Sequence, residues 1–190
     1  MIALITGATS GIGKSTAIEF AKHGYNLIIT GRRQERLEEL KADLSKDYSV
    51  NVLTLCFDVR DEKQVETAIN SIPVEFKKID VLVNNAGLAA GLAPIQDGKL
   101  AHWEQMIDTN VKGLLYVTKH VSKLLIENKK GHIINVGSIA GKEVYANGNV
   151  YCATKAAVDA LSASMRIDLL SYGIKVTAIH PGAAETEFSL

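Results

Sequence analysis

Tyr151 and Lys155 stand four residues apart and could together move protons. Residues at i and i+4 share one face of a helix, so a helical segment here would make the two side chains neighbours. A free phenol titrates near ~10 and is a poor base at neutral pH. A nearby lysine ammonium favours the charged phenolate, so we expect it to lower the pKa of Tyr151. The spacing predicts that Tyr151 is a general acid and base.

Ser138 lies thirteen residues before Tyr151, in a Gly-Ser-Ile-Ala-Gly stretch. A loop serine can cap a turn, or its hydroxyl can donate a hydrogen bond to a substrate oxygen where charge develops.

Tyr145 has no lysine four residues further on, and we interpret Tyr145 and Asn147 as part of the wall of the substrate pocket. Cys152 is interpreted as a buried, inert thiol.

A glycine-rich turn follows the first apolar run and precedes the first helical pattern. Glycine lets the backbone turn sharply and approach a phosphate, and the helix N-terminus adds free N–H groups. This context predicts a site for a dinucleotide pyrophosphate. A Walker A loop would need glycine at Ala8, so a nucleotide triphosphatase is disfavoured. The turn residues expected to bind the cofactor are Gly7, Thr9, Ser10, Gly11, Ile12 and Gly13.

Two arginines, Arg32 and Arg33, end the second apolar run. An NAD site would place an acidic residue about 20 residues beyond the glycine turn, to hold the ribose 2′-hydroxyl. Guanidinium groups instead suit a 2′-phosphate. The alternative is that both arginines begin a solvated helix and pair with its glutamates. Because the glycine turn lies upstream, we predict NADP rather than NAD.

Short apolar runs alternate with longer helical patterns along the whole chain. The apolar runs carry few charges, which is typical of strands buried on both faces of a parallel sheet. We therefore predict a doubly wound α/β fold, a three-layer α/β/α Rossmann fold, in one domain over residues 1–190. The predicted strands are Ile2–Thr6, Asn26–Thr30, Val50–Phe57, Asp80–Asn84, Gly131–Val136 and Ile174–Ile179, and the predicted helices are Gly11–His23, Gln34–Lys46, Glu62–Ile72, Ala101–Asn128 and Val150–Tyr172.

Composition excludes several classes of protein. The chain has 190 residues, of which 47% are hydrophobic and 22% charged, so it is neither disordered nor fibrous. The 21 basic and 21 acidic residues cancel, which leaves no electrostatic footprint for nucleic acid or an anionic membrane. We find no secretory signal and no apolar run of ~18 residues, and we expect a cytoplasmic protein. The five histidines form no ligand cluster, so we expect no metal.

Together these motifs resemble the short-chain dehydrogenase/reductase family. The likeness rests on the Thr-Gly-x-x-x-Gly-x-Gly turn, the Asn-Asn-Ala-Gly stretch at 84–87, Ser138, the Tyr151/Lys155 pair and Pro181-Gly182, in the family's order from residue 2 to about 188. A narrower likeness, to the NADP-dependent 3-hydroxy acid dehydrogenase branch with its serine dehydrogenases, rests on residues 31–37, 84–89, 148–151 and 186–189. Relatives are longer, so we expect a seventh strand and a substrate lid that this sequence does not include.

The resemblance also implies roles for individual residues. Ser138, Tyr151 and Lys155 would be catalytic, and Lys155 would also hold the nicotinamide ribose. Asn110 would kink its helix and anchor a water that passes protons to Lys155. The further cofactor-binding residues that the resemblance implies are Asp58, Val59, Asn85, Ala86, Gly87, Pro181, Gly182, Ala184 and Thr186.

The function expected from this resemblance is hydride transfer between NADP(H) and a small 3-hydroxy acid, such as serine or 3-hydroxypropionate, or the matching semialdehyde. The alternatives are reduction of another carbonyl, in a sugar, a steroid or an acyl thioester, and a non-catalytic NADP-binding sensor or scaffold.

Segments 101–128 and 150–172 carry more apolar residues than one buried face needs. Loops could cover the extra face, but we favour a subunit interface, and the resemblance suggests a homotetramer.

Overall fold

The computed structural model describes residues 1–183, and the predicted site residues Ala184 and Thr186 lie outside this range. Six parallel strands form one sheet in the order β3-β2-β1-β4-β5-β6. The order reverses between β1 and β4, which in this class of sheet is where ligands bind. The strands are β1 (Ile2–Ile5), β2 (Asn26–Gly31), β3 (Val52–Cys56), β4 (Val81–Asn84), β5 (Gly131–Val136) and β6 (Ile174–Ile179).

Helices cover both faces of the sheet. Alternate residues of β1 enter different cores: Ile2 and Leu4 face one layer, and Ala3 and Ile5 face the other. Helices α1 and α2 pack on the second face, and α3, α5 and α6 pack on the first. The predicted three-layer Rossmann fold is therefore confirmed. The helices are α1 (Gly11–Lys22), α2 (Gln34–Tyr48), α3 (Glu62–Asn70), α4 (Leu100–Ile107), α5 (Leu114–Glu127) and α6 (Asn149–Leu169).

The segment predicted as a helix over residues 101–128 is helical, but it is irregular around Asn110, where the resemblance implies a kink. A π-helical turn at Asp108–Gly113 separates α4 from α5. This turn contains Asn110, whose side chain is bonded to other segments rather than exposed to solvent. Gly113 sits close to Val59: a Cβ on Gly113 would lie 2.7 Å from Val59 Cγ2. Single π-turns in α-helices are frequent at functional sites.

Smaller differences concern element ends. The strand predicted over 50–57 covers only Val52–Cys56, and the last helix ends at Leu169 before a 3₁₀ turn at Leu170–Tyr172. Within residues 1–183, no helix is both long enough and apolar enough to cross a bilayer.

Candidate active site

The glycine turn connects β1 to α1 at the reversal point of the sheet. Gly7 and Gly11 have positive φ values of 65° and 53°, which side chains other than glycine rarely adopt. A Cβ on Gly13 would collide with the Gly7 carbonyl oxygen and with Asn85 Nδ2. The turn can thus close tightly on its neighbours only because glycine occupies these positions.

Helix α1 offers its N-terminus to an anion. Ser10 occupies the N-cap position in extended conformation, and its side chain makes no capping hydrogen bond. The first turn of α1 contains no acidic residue. Free N–H groups and the positive end of the helix dipole are therefore available, as a pyrophosphate requires.

Asn85 holds the glycine turn against the loop that follows β4. Its Nδ2 donates to the carbonyl oxygens of Thr6, at 2.9 Å, and Gly7, at 3.1 Å. In return, the backbone N–H groups of Asn85 and Ala86 donate to Thr6 Oγ1, each at 3.0 Å. The amide of Asn85, predicted to line the adenosine ribose, thus bonds the backbone beside that position.

Arg33 reaches back to the same turn. Its Nη2 donates to Thr9 Oγ1 at 2.9 Å and to Ser10 Oγ at 3.0 Å. These three side chains form a polar, positively charged corner beside the helix N-terminus. A cavity of about 320 Å³ lies at this corner, lined by Thr9, Ser10, Gly11, Lys14, Arg36, Glu39, Leu40 and Asp43.

Asp58 follows β3 and is held by arginines. Its Oδ2 lies 2.6 Å from Arg60 Nη2 and 3.9 Å from Arg32 Nη1. Burial opposes ionisation of this carboxyl, but the hydrogen bonds and charge of Arg60 outweigh it and lower the pKa of Asp58. Asp58 is therefore a fixed carboxylate at the edge of the predicted adenine site.

Ser138, Tyr151 and Lys155 meet at the carboxyl end of β5. The Ser138 hydroxyl accepts a hydrogen bond from Ala140 N at 3.1 Å, so it does cap the short turn that follows β5. The same hydroxyl lies near enough to the Tyr151 hydroxyl to act on its pKa, which it lowers. Lys155 Nζ lies 5.8 Å from the centre of the Tyr151 ring, as the i, i+4 spacing on α6 requires.

The pKa of Tyr151 lies above its ordinary value in this structure, not below it as predicted. Burial raises the pKa of Tyr151, and the Ser138 hydroxyl offsets this only in part. Lys155 is itself 5% exposed, and burial lowers its pKa to about 8, against the opposing charge of Asp159. Its ammonium donates to the Val136 carbonyl oxygen at 2.9 Å and lies beside the phenol ring. The phenol is therefore protonated at neutral pH.

Asn110 joins three segments around this group. Its Oδ1 accepts from Leu88 N at 2.8 Å, and its Nδ2 donates to Leu88 O at 2.9 Å and to Thr154 Oγ1 at 3.0 Å. Thr154 precedes Lys155, and Gly87 lies close enough that a Cβ there would be 3.6 Å from Lys155 Nζ. Asn110 thus fixes the loop after β4 against the catalytic helix.

Tyr145 and Asn147 lie in the exposed loop that precedes α6. Asn147 adopts a positive φ of 66°, and its carbonyl oxygen accepts from Ala93 N at 3.3 Å. The Tyr145 ring packs over Gly148, where any side chain would collide with it. Cys152, at the start of α6, is buried, as predicted.

Two groups of polar residues at this end of the sheet were missed by sequence reasoning. One is a buried chain in which Asn84 Nδ2 donates to Asn135 Oδ1 and Asn135 Nδ2 donates to Ser162 Oγ, both at 2.9 Å. The other joins Asp159 to His180 at 2.5 Å. The position of Asp159, one helical turn after Lys155, is the signal that could have pointed to the second group.

Comparisons with known proteins agree with this geometry. The short chain dehydrogenase family matches residues 1–189. The chain is 50% identical to NADP-dependent 3-hydroxy acid dehydrogenase YdfG of Salmonella typhi and 50% identical to sulfoacetaldehyde reductase 2 of Chromohalobacter salexigens. Each match covers 100% of this chain and 75% of the relative.

A solved structure, the closed form of a serine dehydrogenase complexed with NADP+, superimposes with a TM-score of 0.93 and 48% identity. That match covers 100% of this chain and 75% of the other. The chain belongs to the short chain dehydrogenase family, as its motifs predict.

Proposed function

We propose that this protein transfers a hydride between NADP(H) and a small 3-hydroxy acid, such as serine or 3-hydroxypropionate, or the matching semialdehyde. At the coarser level it is an NADP-dependent oxidoreductase acting on CH–OH groups, like the relatives that it matches. The observation that carries the proposal is the meeting of Ser138, Tyr151 and Lys155 beside a glycine turn shaped for a dinucleotide. With these groups in place, a non-catalytic sensor or scaffold is disfavoured.

The proton chemistry follows from the state of Tyr151. Because burial raises its pKa, the phenol holds its proton at neutral pH and can donate it to a carbonyl oxygen during reduction. Ser138 would hydrogen-bond the same oxygen, where negative charge develops. In oxidation the phenolate must form, and the Lys155 ammonium beside the ring would stabilise it.

The cofactor supplies or accepts the hydride when bound, and the residues present fit it. Thr9, Ser10 and Arg33 would hold the 2′-phosphate, with Arg32 nearby. The N-terminus of α1 would hold the pyrophosphate. The remaining proposed contacts are Asp58 and Val59 at the adenine, Asn85, Ala86 and Gly87 at its ribose, Lys155 at the nicotinamide ribose, and Pro181 and Gly182 at the nicotinamide.

A second candidate substrate class comes from the comparisons. A sulfoacetaldehyde reductase is as similar to this chain as the 3-hydroxy acid dehydrogenase is, at 50% identity each. Short hydroxy acids and short hydroxysulfonates are both small anions, and each has a CH–OH carbon that can be oxidised to the matching carbonyl. Tyr145 and Asn147, on the loop before α6, are the side chains that we propose to contact the substrate.

The test is the initial rate of NADP reduction over a panel of 3-hydroxypropionate, serine, 3-hydroxybutyrate, 2-hydroxyethanesulfonate and simple secondary alcohols, with NAD in parallel. We expect the fastest turnover with a short 3-hydroxy acid and NADP. Fastest turnover of the sulfonate would replace the substrate proposal with the second candidate. Equal rates with NAD would overturn the assignment of the 2′-phosphate site.

We also propose that the protein is a homotetramer. Exposed apolar side chains support an interface on both segments: Ile107 in segment 101–128 is 41% exposed, and Ile167 and Leu170 in segment 150–172 are 77% and 73% exposed. Sedimentation equilibrium would measure the oligomer size. The single-domain organisation and the cytoplasmic location stay predictions.

A further inference from the structure

We propose that Asp159 is a positioning residue, which ties the segment after β6 to the helix that carries Tyr151 and Lys155. The carboxylate lies at the junction of three segments: α6, the turn after β5 that begins with Ser138, and the residues His180–Gly182 expected to face the nicotinamide. The inference rests on the proposed function, because its consequences are measured on NADP(H) binding.

One carboxylate joins these three segments directly. Asp159 lies on α6, one helical turn after Lys155, and its side chain is only 15% exposed. Its Oδ1 lies 2.5 Å from His180 Nε2, and its Oδ2 lies 2.9 Å from Lys142 Nζ. A carboxylate can only accept, so His180 Nε2 must carry a hydrogen and donate it.

Further contacts hold the imidazole of His180 in place. Gly137 N donates to Ile179 O at 2.8 Å, and Ile139 N donates to Pro181 O at 3.2 Å. A Cβ on Gly137 would lie 3.3 Å from His180 Cδ2, so the ring packs directly over this glycine. The backbone bonds on both sides of His180 and the bond from its ring to Asp159 therefore act on one short segment.

The negative charge of Asp159 also acts on Lys155. The titratable groups against its carboxylate are Lys142 from the turn after β5, His180 from the segment after β6, and Lys155 on its own helix. Lys142 and His180 lower the pKa of Asp159 despite its burial, so it is ionised. Its negative charge raises the pKa of Lys155 against the larger effect of burial. Without it, the Lys155 ammonium would lose its proton more easily.

Two consequences should follow when the carboxylate is removed. In Asp159→Asn the amide oxygen could still accept from His180, but this bond would be neutral and weaker and the ion pair to Lys142 would be gone, so NADPH would bind to a less ordered surface. Lys155 would also lose its proton at a lower pH, and the basic limb of the pH profile would move with it. A residue that only stabilised the fold would lower the melting temperature and change neither quantity in the folded protein.

The experiment compares Asp159→Asn with Asp168→Asn, an exposed aspartate on the same helix. NADPH affinity is measured by fluorescence titration, and kcat and KM for NADP are measured from pH 6 to 10. Amide exchange of residues 137–142 and 179–183 is followed without cofactor. For Asp159→Asn we expect roughly five- to tenfold weaker NADPH binding, a basic limb at lower pH and faster exchange in both segments. Asp168→Asn should match the wild type.

Substitutions at His180 keep the test decisive if Asp159→Asn folds poorly. His180→Gln retains an N–H donor and should largely preserve NADPH affinity, whereas His180→Ala should weaken it like Asp159→Asn. A lower melting temperature with unchanged affinity, pH limb and exchange would show a structural role only and overturn the inference. A wild-type protein that binds no NADPH would overturn the proposed function as well.

Discussion

The proposed site has two parts that are built differently. We call them the nucleotide end, formed by the glycine turn, Arg32 and Arg33, and the catalytic end, formed by the groups around Tyr151 and Lys155. At the nucleotide end, the polar groups are backbone N–H groups and exposed side chains, and the side chain of Arg32 is 58% exposed. At the catalytic end, Lys155 is 5%, Thr154 3% and Asn110 2% exposed, and each makes side-chain hydrogen bonds inside the protein. Exposed charges can change without disturbing the fold. Buried polar groups cannot, because losing one partner leaves another unsatisfied.

Replacing Tyr151 with Phe should have the largest effect on turnover. The change removes the hydroxyl and keeps the ring, so kcat should fall by about 10²–10⁴, as is typical when a general acid and base is lost. NADPH affinity, measured by fluorescence titration, should change little, because the nucleotide end is untouched.

Tyr145→Phe is the matched control for this substitution. Tyr145 lies six residues earlier, is 46% exposed and has no lysine partner, so its loss should affect KM for the substrate more than kcat. If Tyr151→Phe turned over at the wild-type rate, Tyr151 would not be the acid and base.

The contrast between the ends also explains what the sequence could predict. The glycine turn and the Tyr151/Lys155 pair are local patterns with fixed spacing. The turn has the positive φ values that only glycine adopts readily, and the two side chains of the pair are neighbours, as expected. The strands were predictable because few charges interrupt them. All six predicted strands form, and their ends shift by at most two residues.

What the sequence did not reveal depends on contacts between distant segments. The resemblance implies a kink at Asn110, but not the bonds that hold the π-turn there, which join the Asn110 side chain to Leu88 and Thr154, 22 and 44 residues away. The bond between Asn84 and Asn135 joins neighbouring strands that are 51 residues apart in sequence. The raised pKa of Tyr151 arises from burial, which the spacing to Lys155 does not encode.

Asn135→Ala should show the cost of opening the buried polar chain. Asn135 is 0% exposed, accepts from Asn84 and donates to Ser162, so its loss leaves buried groups unsatisfied. We expect a loss of about 1–3 kcal/mol in the free energy of unfolding, measured by urea denaturation. Asn70→Ala, at an exposed asparagine at the end of α3, should cost less than about 0.5 kcal/mol. Equal effects would contradict the contrast between buried and exposed sites.

Arg33→Ala should have a smaller effect, confined to the nucleotide end. The guanidinium bonds Thr9 and Ser10 in the chain itself and would hold the 2′-phosphate. We expect about tenfold weaker NADPH binding, with NADH binding and the melting temperature nearly unchanged. Added salt should reduce the difference between Arg33→Ala and the wild type, because an exposed charge is screened. A salt-independent loss for both cofactors would mean that Arg33 shapes the turn instead.

Lys155 gives the most subtle test, a dependence of stability on pH. Its pKa is lowered by burial to about 8 from 10.5, while Asp159 partly opposes the change. Between these pH values the unfolded chain keeps a proton that the folded chain has released, so unfolding takes up a proton. Raising the pH through this window therefore favours the folded state, by up to about 1.4 kcal/mol per pH unit. Below the window both states are protonated, and the lysine adds no dependence.

Urea midpoints at pH 7.5, 8.5 and 9.5 would measure this effect in the wild type and in Lys155→Met. Other groups titrate in both proteins, so the difference between them isolates Lys155, and it should move in favour of the wild type as the pH rises. Lys123→Met, at an exposed lysine of α5, should follow the wild type at every pH. A difference independent of pH would mean that Lys155 holds its proton as an exposed lysine does. The surroundings of Lys155 would then be better hydrated than its burial implies. The catalytic end would differ less from the nucleotide end than we infer.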